Sequence, residues 1–96
     1  MNRQGDLLFI KINELPKGLK KIRGNVIVRG EATGHTHQLG GGDIFSDNKG
    51  LLYLVVLKKG LITHQEHKPI KLSKGLYKVQ RQREYTNKDA VKVVVD

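Results

Sequence analysis

The only four histidines of this 96-residue chain fall in two short strings, EATGHTHQ (31–38) and THQEHKPI (63–70). Extended backbone alternates its side chains, so His35 and His37 project to one side with Thr36 on the other, their bases roughly 7 Å apart. Two imidazoles so placed converge on one ion or one substrate. Gly34 before them and Gly40 to Gly42 after them leave backbone room for a ligand. In the second string Pro69 biases Lys68 toward extended backbone. A strand continuing through that string puts His64 and Glu66 on one face, whereas a turn at Gln65–Glu66 brings His64 and His67 together.

Nitrogen ligands with an occasional carboxylate suit a divalent transition metal (zinc, iron, nickel or copper) better than magnesium or calcium, which take oxygen. On that reading His35, His37 and His67 are the ligands, and His64 is a fourth ligand or stands behind them. Glu66 or Glu31 then acts as general base or orients a ligand. The same residues fit a metal-independent ribonuclease, which needs one histidine as base for the ribose hydroxyl and another as acid for the leaving oxygen. It also needs a cation for the charge that builds on phosphorus. A third reading is a non-catalytic RNA-binding module in which the histidines are half-buried hydrogen-bonding residues.

The string YKVQRQREY adds a basic element. Period-two alternation places Tyr77, Val79, Arg81, Arg83 and Tyr85 on one face. Arginine's planar fork matches phosphate and carboxylate bidentately, so this face, brought beside the histidines, makes an anion clamp of Arg81, Arg83 and Tyr85. The competing reading is an ordinary edge strand whose arginine stems cover apolar surface while Glu84 is paired.

These residues need a scaffold, and its punctuation is regular. Gly or Pro marks recur every eight to twelve residues, at Gly5, Pro16–Gly18, Gly24, Gly30, Gly40–Gly42, Asp47–Gly50, Gly60, Pro69 and Gly75. Between them lie DLLFIKI, NVIVR, LLYLVVL, LITH, YKVQRQREY and VKVVV, short and rich in β-branched or aliphatic residues. That spacing predicts an all-β fold, a small barrel or sandwich forming one domain over 1–96. Pro16 and Gly18 make NELPKGLKKI a turn-rich connection instead of a helix. Lys58–Lys59, just before Gly60, reads as a hairpin end.

With no cysteine, disulfides and thiolate metal sites are excluded. No apolar run approaches a membrane span, and the N-terminal string lacks a cleavable leader pattern, so the expectation is a soluble, cytoplasmic protein. Charge is the strongest compositional signal: 18 Lys and Arg against 9 Asp and Glu give +9 and a pI near 10. A surplus of this size on so small a domain attracts RNA or another phosphate-bearing polyanion. No aromatic residue is interleaved with the lysines to stack on bases, so a solvated lysine-rich surface accounts for the same composition.

The strings GEATGHTHQL (30–39) and LITHQEHKPIKLSKGLYKVQRQREY (61–85), with QGD at the start and VVD at the end, resemble a family of small uncharacterised bacterial and phage proteins. In that family a GE-x-TGH-x-H segment precedes a THEEH-x-PI segment and an RQREY string. The resemblance brings no activity with it. It implies that Glu31, Thr33, His35, His37, His64, Glu66, His67, Arg81, Arg83 and Tyr85 form one motif set. Gln65 stands where the family string has Glu. The chain is also similar in part to the cupins, small β-barrels with a His-x-His pair. Glycines occupy positions 41 and 42, where a cupin-like Glu would fall, so only the architecture carries over, and Glu31 or Glu66 would have to supply the carboxylate.

Overall fold

The computed structural model describes residues 2–29, 35–81, 83–86 and 90–93. They form nine β-strands and no helix. In chain order these are β1 (Asn2–Gln4), β2 (Leu7–Ile12), β3 (Lys20–Ile22), β4 (Val26–Arg29), β5 (Thr36–Ser46), β6 (Leu52–Thr63), β7 (Ile70–Arg81), β8 (Arg83–Thr86) and β9 (Ala90–Val93). The first seven make one antiparallel sheet in the order β1-β2-β7-β6-β5-β3, with β4 pairing the other end of β5, while β8 and β9 pair separately. No pairing among the described strands closes the sheet into a full barrel. Among the described residues no helix is long and apolar enough to cross a membrane.

The sheet coils because its three longest strands are bent at bulges. Gly40 pairs with Leu61 and Gly42 with Val56, so β6 carries extra residues there, and the β6–β7 register shifts again between Val56 and Lys59. An extra residue flips which side chains face inward and increases twist. On β5 the buried positions pass from odd (His37, Leu39) to even (Ile44), and on β7 from even (Leu72) to odd (Tyr77, Val79). Gly41, at φ 85°, makes the bend, and a Cβ there would run into the Lys59 carbonyl. The flip lets both halves of each strand contribute to one core, in which Leu7 and Phe9 of β2 meet Leu54, Ile62, Leu72 and Tyr77.

Two expectations change. Gly40–Gly42, Gly60 and Gly75 do not separate strands; they lie inside β5, β6 and β7. Lys58–Lys59 is therefore no hairpin end but the bulge within β6. Of the stretch 77–85, residues 77–81 lie in β7 and 83–85 in β8, with Gln82 outside the described residues.

Candidate functional site: a histidine cluster locked by Gln4

Coiling brings β1, at one edge of the sheet, onto β5, four places away in the pairing order. The Gln4 side chain makes this contact. Gln4 is buried, its Nε2 donating to the carbonyls of Ile62 (3.1 Å) and Lys68 (2.9 Å). Both amide hydrogens are thus used, which identifies the opposite atom as the oxygen. That oxygen, Oε1, lies 2.8 Å from His37 Nδ1 and accepts its proton. Neutral His37, which is fully buried, therefore carries its lone pair on Nε2.

His37 meets the rings of His64 and His67, and His35 meets that of His64. The backbone bends at 65–67 directly after β6, and this turn carries His64 and His67 to a ring separation of 4.5 Å. His64 is the hub. Its ring centre lies 4.4 Å from His37 and 5.4 Å from His35, the latter edge-on, while His67 stacks 6.2 Å from His37 at an interplanar angle of 10°. His64 Nδ1 accepts the backbone N–H groups of Glu66 (3.0 Å) and His67 (3.3 Å). Neutral His64 consequently carries its proton on Nε2, the tautomer opposite to that of His37.

The rim is polar. Glu66 Oε1 lies 3.6 Å from Nδ1 of His35, whose side chain is partly exposed. Gln65 pins the turn to the start of β5, its Oε1 accepting Thr36 N–H at 3.0 Å and its Nε2 donating to Thr36 Oγ1 at 3.4 Å. A glutamate there would accept the Thr36 N–H in the same way and accept the Thr36 hydroxyl proton in place of donating to that oxygen. A cleft of about 240 Å³ opens beside the cluster, lined by Thr36, Gln38, Thr63, His64 and Gln65.

Of the residues singled out in the sequence, His35, His37, His64, His67 and Glu66 come together. Arg81 does not join them through its guanidinium Nε, which is 3.1 Å from Oδ2 of the buried Asp6. Glu31 lies outside the described residues, and Arg83 and Tyr85 are described only as backbone within β8. Sequence reasoning missed Gln4 and Asp6. Both belong to the QGD string, whose first residue orients His37 and whose last holds Arg81; the signal was a pair of polar residues flanking a glycine turn, too common to stand out.

Chemically the cluster is a bed of imidazoles in complementary tautomers. Around one zinc, with Zn–N bonds of about 2.0–2.1 Å, ring centres stand roughly 5 Å apart, and the observed separations bracket that value. The nitrogens themselves do not converge: among the described residues no group of three or more His, Cys, Asp or Glu is arranged to hold a metal ion. His64 shows one reason, because its Nδ1 lone pair already serves two backbone donors and its other nitrogen bears the proton.

No curated protein and no solved structure gives a significant match to the chain. The model of the family described as "Domain of unknown function (DUF8820)" matches residues 3–82, a span that includes Gln4, Asp6, all four histidines and Arg81, and the chain belongs to that family.

Proposed function

We propose that the histidine cluster is a metal-independent acid–base site acting on a phosphate-bearing ligand, with cleavage of an RNA phosphodiester as its reaction. The observation that carries this reading is the fixed, opposite tautomers of His37 and His64 at a ring separation of 4.4 Å. They form a donor and an acceptor, which suits proton traffic, whereas a metal requires lone pairs aimed at one point. His35 and His67 flank this pair, and both are partly exposed. One would take the proton of the ribose 2′-hydroxyl as that oxygen attacks phosphorus. The other would give a proton to the 5′-oxygen as its bond to phosphorus breaks, leaving a 2′,3′-cyclic phosphate. Glu66 orients His35, and Lys68 is the cation of the same turn.

The test is cleavage of a uridine-containing oligonucleotide in EDTA. Expected are cyclic-phosphate ends, a bell-shaped pH profile, and a loss of about 10²-fold or more in His35→Gln and His67→Gln. Absence of cleavage with and without added metal would defeat this reading.

A second reading, a site for zinc, iron, nickel or copper on His35, His37 and His67, is favoured by the Gln4 contact. A ligating imidazole characteristically donates its other N–H to a fixed oxygen, as His37 does. Elemental analysis of untagged protein decides between the two: a stoichiometric transition metal whose removal abolishes activity establishes the metal reading.

A further inference from the structure

A wider concavity lies away from the histidine rings. This groove of about 730 Å³ sits where β5, β6 and β7 are bulged, and four lysines, Lys58, Lys59, Lys71 and Lys74, line it from two adjacent strands. Its floor includes Gly40, Gly41 and Gly60, together with the half-exposed Leu61. The bulge makes the groove, because glycines contribute no side chains and the extra residues of β6 part the ladder. Among the described residues no carboxylate lines it. In register the groove runs on toward the histidines: Gly40 pairs with Leu61, and two positions along the same face Gln38 pairs with Thr63, both of which line the cleft beside His64.

We infer that this groove is the docking surface for single-stranded RNA, with phosphates along the lysines and sugars over the glycine and leucine floor. The occupant follows from charge and shape. Four ammonium groups with no acid lining the groove beside them demand a ligand with several regularly spaced negative charges, and the chain's +9 adds long-range attraction. A lysine is a point charge that follows a flexible backbone without demanding the planar geometry an arginine requires. The apolar floor suits ribose and base faces. The peptide groups of Lys58, which stands outside both ladders, offer partners for a 2′-hydroxyl. This surface does not depend on what the histidines do.

The test is fluorescence anisotropy of a labelled oligouridine across a salt series. Every protein carries His35→Gln, so that cleavage does not erode the probe. Lys58→Gln/Lys59→Gln and Lys71→Gln/Lys74→Gln should each weaken binding about tenfold at moderate salt. Each should also flatten the slope of log K against log salt by about 1.4, at roughly 0.7 for each phosphate no longer neutralised. The control Lys17→Gln/Lys49→Gln, with the same change in charge on exposed positions outside the groove, should change affinity less than twofold. Lys58→Arg/Lys59→Arg should restore binding, and melting curves confirm that each variant is folded. An equal loss in control and groove variants would overturn the proposal, as would equal binding of the matching deoxy-oligomer. Binding to phosphatidylglycerol vesicles without binding to oligouridine would overturn it too and assign the groove to a membrane surface instead.

Discussion

The histidine cluster, gathered at the start of β5 and the turn after β6, and the lysine groove on β5, β6 and β7 are built on opposite principles. At the cluster, specific short contacts tie a buried amide in place, with Gln4 bonding to two carbonyls and one imidazole. At the groove, exposed ammonium groups surround glycine backbone, and what they share is a field. The first is an arrangement in which every partner matters, because a buried group left unpaired costs its desolvation. The second tolerates the loss of any one member. Short-range, buried contacts set the geometry of the candidate chemistry, and long-range, exposed charges set what is attracted to it.

The largest effect that separates them is expected at Gln4. Gln4→Leu removes three hydrogen bonds and leaves the buried Ile62 carbonyl, the part-buried Lys68 carbonyl and the His37 N–H to find new partners, a cost of about 3 kcal/mol or more at roughly 1–3 kcal/mol per group. For a chain of this length that is a fall in melting temperature of more than about 10 °C. A fall of only a degree or two would show that the Gln4 contacts do not hold the sheet in its coil.

An intermediate effect belongs to the bend that makes the groove. Gly41→Ala puts a Cβ against the Lys59 carbonyl at a positive φ and should destabilise by about 2 kcal/mol or more, whereas Gly50→Ala, at a similar φ of 86° with open space around it, should cost only about 1 kcal/mol. Thermal or urea unfolding of the pair measures the difference. Equal costs would mean that the backbone at Gly41 relaxes and that the groove is less rigid than its register implies.

The smallest effect should come from any single groove lysine. Lys59→Ala is expected to change stability by no more than about 0.5 kcal/mol, as for exposed positions generally. A large loss of stability would show that the lysines buttress the bulge and that the contrast between the two regions is false.

Much of the architecture was legible in the chain. Short β-branched runs with frequent turn residues announced an all-β fold, and the strings LLFIKI and VIVR are β2 and β4. The glycines misled. Gly40 to Gly42, Gly60 and Gly75 look like strand ends, because a glycine at a turn and one at a bulge satisfy the same local requirement for unusual backbone. Only the pairing partner distinguishes them.

The sequence by itself determined the inventory: four histidines in two strings, a turn able to fold His67 back on His64, a +9 surplus, and no thiol. These are local or compositional properties, and period and spacing carry them. Tertiary structure alone decided which residues meet. Gln4 lies 33 positions from His37 and 64 from Lys68, and Asp6 reaches Arg81 from the other end of the matched segment. The four lysines form one groove only because three strands bend at matching bulges. Contacts over such separations depend on the coil of the whole sheet, which follows from how inward side chains pack across it and cannot be read from any one strand.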